Sequence, residues 1–270
     1  MIYHTLVDAH ERCGPLRSDL QACDDTVQAL ALAPAATGIA RLPSLPELRA
    51  LRILRLGATE LDVLLRCTQL TTLLIERTSI ADLSVLAGLR HLEVLAVHAA
   101  ARPTTLRGLD LAGLRVLGLS TMKRLNDLDG IEGVPGLREL YLTGPLRARW
   151  PIASLAPIAG HSELRRLAVR DVRIEDGSLR PLWGLSNLEH LDLSHTFSSV
   201  ELAKCATRIP RTSCTLFQPM IADPGEVCKR CGGRTCVALV GVGKPIVCRV
   251  CDQAKVDRHI AEWAVAASAA

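Results

Sequence analysis

The chain has 270 residues, a formal net charge of +4 and 22% charged residues. This length accommodates one or two domains with a sizeable core, and the modest positive charge neither requires nor excludes nucleic acid as a partner. The chain contains 46 leucines but only 3% aromatic residues. A core built mainly from one branched aliphatic residue indicates a repeated packing slot, which differs from the mixed core of most globular enzymes.

The first 26 residues are polar and acidic, and we expect them to cap the end of the structure that follows. The opening segment lacks the basic region of a secretory signal, and Asp8 and Glu11 interrupt its apolar residues. No stretch of the chain approaches 18 uninterrupted apolar residues, so no membrane span is expected. The sequence therefore predicts a cytoplasmic protein, in which cysteines stay reduced.

A leucine pattern recurs between residue 27 and about residue 217. Each block has the form L-x-x-L-x-L, and weaker blocks lie at both ends. A unit of this size cannot bury its leucines alone, so stacked neighbours must share one continuous core. With Leu54 as the first middle leucine, the steps between blocks are 19, 22, 22, 23, 27 and 24 residues. The middle leucines are Leu54, Leu73, Leu95, Leu117, Leu140, Leu167 and Leu191.

This pattern resembles the leucine-rich repeat family, in particular the short repeats of about 22 residues in bacterial internalins. The resemblance implies an α/β-type repeat solenoid over residues 27–218. Its parallel β-sheet would line the concave face, and short 3₁₀ or irregular segments the convex face. The family's asparagine, three residues after the last strand leucine, is missing from this chain. In three repeats we expect a threonine hydroxyl to replace it: Thr59, Thr78 and Thr196.

The outward-facing strand positions change in character along the predicted sheet. Side chains alternate between the two faces of a strand, so the residues between the repeat leucines face the concave side. They are small and apolar in the first half of the repeats and charged in the second half. An apolar strip beside a charged patch is typical of a protein-binding surface, and Tyr and Arg often dominate interface energies. The candidate partner-binding residues are Tyr141, Arg166, Arg170, His190 and Asp192.

The same face is not expected to be an enzyme site. His190, Asp192 and Ser194 supply the residue types of a hydrolytic triad. However, consecutive same-face residues of one strand lie about 7 Å apart, which is too far for direct proton transfer. The chain also lacks a nucleophile elbow, a zinc-protease helix, a P-loop and a dinucleotide-binding motif. The sequence therefore predicts a non-enzymatic protein, and we infer no small-molecule substrate.

Two C-x-x-C pairs follow a predicted linker at residues 219–227, and 16 residues separate the pairs. This spacing is typical of a zinc ribbon, in which each pair supplies two thiolates and the intervening segment forms a hairpin. Four thiolates complete a tetrahedron around Zn²⁺, so the predicted role of the metal is structural. A redox dithiol and an unmetallated pair are the alternatives. The predicted ligands are Cys228, Cys231, Cys248 and Cys251.

Residues 228–270 are predicted to form this zinc-ribbon-like module together with a C-terminal helix. The helix should begin at Gln253 with Asp252 as its N-cap, and pack on the ribbon or on the last repeat. A fifth thiol, Cys236, is expected to pack as a small apolar residue. The expected apolar face of the helix comprises Val256, Ile260, Trp263 and Ala267.

Two alternative functions remain at this stage. Zinc ribbons also bind nucleic acid, and several basic residues lie near the two C-x-x-C pairs, although no aromatic cluster is present for base stacking. The protein would then be a nucleic-acid-associated regulator. In the other alternative it is a substrate-recognition subunit, whose repeats select a substrate while the ribbon docks a modifying enzyme. The basic residues are Lys229, Arg230, Arg234, Lys244 and Arg249.

Overall fold

The computed structural model describes residues 4–21, 23–145, 149–222 and 225–270. Its strands are β1 (Leu16–Asp19), β2 (Ala29–Thr37), β3 (Ala50–Ile53), β4 (Thr72–Ile75), β5 (Val94–His98), β6 (Val116–Ser120), β7 (Glu139–Thr143), β8 (Trp150–Ile152), β9 (Arg166–Arg170), β10 (Val172–Ile174), β11 (His190–Leu193), β12 (Met220–Ala222), β13 (Cys236–Leu239) and β14 (Ile246–Cys248). Its α-helices are α1 (His4–Arg12), α2 (Ala58–Leu64), α3 (Ser199–Arg208) and α4 (Gln253–Ser268). The 3₁₀ segments are Ile39–Ser44, Leu83–Gly88, Ile131–Gly133, Ala156–Ile158 and Arg180–Gly184.

The repeats form a parallel sheet that holds nine strands among the described residues, in the order β1-β2-β3-β4-β5-β6-β7-β9-β11. Equivalent leucines of successive repeats pair directly, as Leu73 with Leu95 and Leu95 with Leu117. One continuous apolar core therefore runs the length of the repeats. Parallel strands need crossover connections, which the 3₁₀ segments and α2 supply. The predicted parallel sheet of stacked repeats with a shared leucine core is confirmed.

The first repeat has a different register from the one we predicted. Leu51 pairs with Leu73, so Leu51 and not Leu54 is its middle leucine. The choice of Leu54 was wrong. Leu51, Leu54 and Leu56 match the motif letters, but Leu51 lies 22 residues before Leu73, as the next repeats do, and Leu54 only 19. Ala50 and Arg52 consequently occupy the outward positions, paired with Thr72 and Leu74 of the next strand.

The N-terminal segment divides into two parts with different positions. Strand β1 pairs in parallel with β2 and forms the first edge of the sheet. Helix α1 instead lies on the face of the sheet opposite the leucine core, where Ala9 and Cys13 are buried against outward-facing strand residues. Residues 1–26 were predicted only as a cap, so the position of α1 is a new finding.

The cysteine-rich region forms a small antiparallel sheet of β12, β13 and β14, which we call the ribbon. Strand β12 lies within residues 219–227, so this predicted linker contributes a strand to the module. Helix α4 begins at Gln253, as predicted. It packs on the ribbon and on α3, where the Thr207 hydroxyl donates to the Ala267 carbonyl at 3.3 Å.

The buried face of α4 differs in part from the predicted one. Val256, His259 and Ala266 are buried, whereas Ile260 is exposed. No helix of the described residues has both the length and the apolar character needed to cross a membrane.

Candidate binding face and metal centre

The outward face of the sheet carries a second apolar cluster, separate from the leucine core. We call it the concave strip. It extends across the sheet from β2 to β9, and its strand residues are buried although they point away from the leucine core. A covering element must therefore exclude water from this face. The strip comprises Ala31, Ala50, Leu74, Val94, Val116, Tyr141 and Ala168.

Helix α1 provides part of this cover. Leu6, Ala9 and Cys13 have the i, i+3, i+7 spacing that places side chains on one face of a helix, and all three contact the concave strip. Ala9 is 0% and Cys13 3% exposed. Burial raises the pKa of the Cys13 thiol, and Arg52 partly offsets the effect.

Gly118 shows how closely α1 approaches the sheet. A Cβ atom at this position would lie 2.8 Å from Cδ1 of Leu6. At the other end of the helix, Gly14 has a left-handed φ of +66°. Its N–H donates to the Glu11 carbonyl at 3.0 Å, which ends the helix and turns the chain towards β1.

Tyr141 lies at the outward strand position that the sequence predicts, but it is not solvent-exposed. Its exposed fraction is 1%, because it belongs to the covered strip. Its hydroxyl donates to Glu139 Oε2 at 2.5 Å. The expectation that Tyr141 offers a free contact surface was therefore wrong for this conformation, since strand alternation shows a side chain's direction but not what packs on it.

The other four predicted partner-binding residues come together on the adjacent strands β9 and β11. Arg170 Nη1 lies 3.2 Å from Asp192 Oδ2, and His190 pairs with Arg166 in the strand register. Arg166 Nη1 lies 3.0 Å from Oε1 of Glu139. We call Arg166, Arg170, His190 and Asp192 the charged patch. Each of its arginines already has a carboxylate partner, so the patch is closer to neutral than the sequence suggested.

A basic cleft near the first repeats was missed by the sequence analysis. It has a volume of about 410 Å³, and one carboxylate, Glu76, lies among its basic residues. Arg52 Nε lies 3.0 Å from this carboxylate, and His10 of α1 approaches it at 3.7 Å. Because the predicted register of the first repeat was wrong, Arg52 was not recognised as an outward-facing residue of the sheet. The other basic residues lining the cleft are Arg55, Arg77 and His98.

The four predicted metal ligands meet at one point of the ribbon. Their sulfur atoms all lie within 4.8 Å of one another. Cys228 and Cys251 are 3.8 Å apart, as are Cys231 and Cys248. With Zn–S bonds of about 2.3 Å, the edge of a ZnS₄ tetrahedron is about 3.8 Å. A disulfide would require about 2.05 Å, so the donor set fits a metal and not a bridge.

Local backbone geometry forms this centre. Gly232 adopts a left-handed φ of +69°, and its N–H donates to the Cys228 carbonyl at 2.8 Å, which closes the first loop. The Cys251 N–H donates to the Cys248 sulfur at 3.4 Å and closes the second. A backbone N–H group that donates to a cysteine sulfur favours the thiolate, which is the form that binds metals.

The pKa values of the cysteines follow these contacts. A hydrogen bond with the Thr235 hydroxyl lowers the pKa of Cys248 to about 6. The backbone N–H groups of Cys231 and Arg230 lower that of Cys228. A hydrogen bond with Cys231 and burial raise the pKa of Cys251 to about 12, because both favour the protonated thiol.

Comparisons with known proteins concern the repeats. No protein-family model and no curated protein sequence matches the chain. Among solved structures, the chain is similar to internalin C2 from Listeria monocytogenes, with 21% identity, a TM-score of 0.43 and coverage of 73% of this chain and 80% of that one. It is also similar to a leucine-rich repeat protein from Leptospira interrogans, with 16% identity, a TM-score of 0.49, and coverage of 77% of this chain and 50% of that one. The leucine-rich repeat fold itself follows from the strand register described above.

Proposed function

We propose that this protein is a non-enzymatic, protein-binding leucine-rich repeat module that binds its partner on the concave side. The concave strip carries the proposal, because a sheet face that only contacts solvent has polar residues at its outward positions. Here at least one outward position on each of seven strands, from β2 to β9, is apolar, and these residues border the charged patch. This combination supports protein binding, since apolar residues supply affinity and charges supply orientation.

The non-enzymatic part of the proposal has its own support. Asp192, which would orient His190 in a triad, instead accepts a hydrogen bond from Arg170. No disulfide joins the cysteines of the described residues, which suits a reducing compartment. We propose the cytoplasm as the location of the protein.

We also propose that the four ribbon cysteines bind one Zn²⁺ with a structural role. Soft thiolate ligands in a tetrahedral arrangement favour zinc, and four protein ligands leave no coordination position for a reacting water. Elemental analysis of the purified protein should give about one zinc ion per chain. A metal-free protein whose cysteine pairs oxidise and reduce reversibly would favour a redox dithiol instead.

Binding to nucleic acid through the ribbon is less well supported. Arg230 forms an ion pair with Asp252, and Lys244 lies 3.6 Å from Glu262. These pairs leave fewer free positive charges for phosphate contacts than the sequence suggested. Retention of the purified protein on heparin, with an ultraviolet spectrum that shows bound nucleic acid, would move this alternative to first place.

The test of protein binding compares two arginines of one repeat. Arg170 belongs to the charged patch, whereas Arg165 precedes β9; their side chains are 51% and 54% exposed, and each is ion-paired. After affinity purification and mass spectrometry have identified a partner, titration calorimetry should show about fivefold weaker binding for Arg170→Gln, which corresponds to about 1 kcal/mol. Arg165→Gln should bind as the wild type does. Equal effects of both substitutions would contradict a contact at the charged patch.

A further inference from the structure

We propose that the concave strip is a helix-binding groove, that its external partner presents an amphipathic helix with the apolar spacing of α1, and that α1 occupies the groove until this partner displaces it. The proposal rests on the proposed function, because it specifies the kind of protein that the concave face binds. It also gives the N-terminal segment a regulatory role.

The residues lining the groove fit a helix. Small residues occupy four of the seven positions in its central row. The strand register aligns this row as Ala31, Arg52, Leu74, Ala96, Gly118, Tyr141 and Ala168. Small side chains allow a helix backbone to approach a surface closely, and Leu6 uses the space above Gly118 in this way. Apolar anchors at i, i+3 and i+7 are the usual contacts of a helix bound in a groove, and α1 presents this pattern.

Helix α1 lies across the strands of the groove. Leu6 lies over β6, His10 over β4, and Cys13 lies near Arg52 of β3. Its nine residues span about 13 Å at about 1.5 Å per residue, which matches about three strand spacings of about 4.8 Å. The groove therefore accepts a helix that runs across its strands.

Helix α1 is also weakly held. Isolated helices shorter than about 12 residues are marginal in water, and only Ala9 of the nine residues is fully buried. The contact between His10 Nε2 and Glu76 Oε1 is long, at 3.7 Å, and half-exposed. What favours α1 is its covalent link to β1, which gives it a high effective concentration at the groove. An external helix that binds the groove displaces α1 by shifting this two-state equilibrium.

The experiment uses the full-length chain and two substitutions that each add a carboxylate to α1. Ala9→Glu places it on the buried face, and the control Val7→Glu places it where the side chain is already 41% exposed. The probe is a fluorescent peptide with the sequence of residues 4–14, stapled as a helix through positions 8 and 12. By fluorescence anisotropy, it should bind Ala9→Glu at least tenfold more tightly than it binds the wild type or Val7→Glu.

A second readout follows the release of α1 directly. Cys13 should react with iodoacetamide at least tenfold faster in Ala9→Glu than in Val7→Glu, as measured by peptide mass spectrometry. Adding Gly118→Leu to Ala9→Glu should abolish peptide binding, because the leucine fills the space that Leu6 occupies. If Ala9→Glu does not fold, Leu6→Glu replaces it, since Leu6 is only partly buried.

The outcomes separate this proposal from the proposed function. A reactive Cys13 without peptide binding would overturn the helix-binding groove, as would peptide binding that Gly118→Leu leaves unchanged. A wild-type dimer that Ala9→Glu dissociates, measured by light scattering, would overturn it in favour of a second copy's α1 as the occupant. If the peptide binds as expected but Arg170→Gln leaves partner affinity unchanged, the groove is supported and only the contact at the charged patch fails.

Discussion

Thr78 shows what a single hydroxyl contributes to a repeat that lacks the family's asparagine. Its Oγ1 donates to the Leu56 carbonyl and accepts from the Ile80 N–H, both at 3.0 Å. The Oγ1 of Thr196 is buried but has no hydrogen-bond partner among the described residues. With the corrected register of the first repeat, Leu56 and not Thr59 occupies the equivalent position. Of the three threonines expected to replace asparagine, only Thr78 does so.

This difference predicts unequal effects of the same substitution. Thr78→Val should lower the free energy of unfolding by about 1–3 kcal/mol, because the buried Ile80 N–H loses its acceptor. Thr196→Val should change it by less than about 0.5 kcal/mol, or raise it, since no hydrogen bond is lost. Urea denaturation of both variants measures the two values. Similar losses of unfolding free energy in both variants would show that the Thr78 hydrogen bonds do not stabilise this turn.

At the scale of secondary-structure elements, the ribbon strands depend on the cysteine centre more than on their own core. Strands β13 and β14 have four and three residues, and their core comprises only a few side chains. Short antiparallel strands with so little buried apolar surface are marginally stable alone. The core residues are Val237, Leu239, Val247 and Val256.

Removing one ligand should therefore unfold the ribbon but not the repeats. Cys248→Ser should abolish zinc binding and the hydrogen-exchange protection of residues 226–251, because metal binding and folding are coupled in such modules. The amides of β3 to β7 should stay protected, since each repeat contacts mainly its neighbours. Cys236→Ser is the matched control, because Cys236 lies on β13 outside the four-sulfur cluster. Retained protection in Cys248→Ser, or its loss in Cys236→Ser, would contradict a structural zinc site.

At the scale of the whole molecule, α4 joins the ribbon to the repeats. Val256 packs into the ribbon core, and Trp263 contacts the leucine core. His259 lies between them and is 3% exposed, with its Nε2 atom 2.9 Å from the Pro219 carbonyl oxygen. Burial lowers the pKa of His259 from its usual value of 6.5, the Pro219 carbonyl opposes this, and Lys244 lowers the pKa further.

The lowered pKa of His259 predicts that the contact of α4 with the ribbon and the repeats is sensitive to acid. His259 is neutral when folded and binds a proton more readily when unfolded, so its contribution to stability is fully present above pH 6.5 and is lost as the pH falls below that value. His259→Gln retains an N–H donor for Pro219 but does not titrate. Thermal unfolding between pH 7 and 5 should show a larger loss of stability for the wild type than for His259→Gln. Parallel pH profiles would rule out His259 as the source.

Local sequence patterns predicted much of this molecule. The repeat register from Leu73 onward, the four clustered cysteines and the start of α4 at Gln253 all depend on residues close together in the chain. Periodicity reports which side chains share a face, and C-x-x-C spacing reports a tight loop with two thiols. Such information needs no knowledge of distant contacts.

What the sequence left open depends on contacts between distant segments. Strand pairing assigns Leu51, and not Leu54, to the position of Leu73, and Tyr141 is buried in a cluster that includes Ala9 and Cys13, which are distant from it in the chain. The contact between Leu6 and Gly118 cannot be predicted from local sequence patterns, because the two residues belong to separate segments of the chain. The sequence determined which residues face outward from the sheet, whereas only the tertiary structure decided that α1 covers them, since burial depends on every surface that the chain brings into contact.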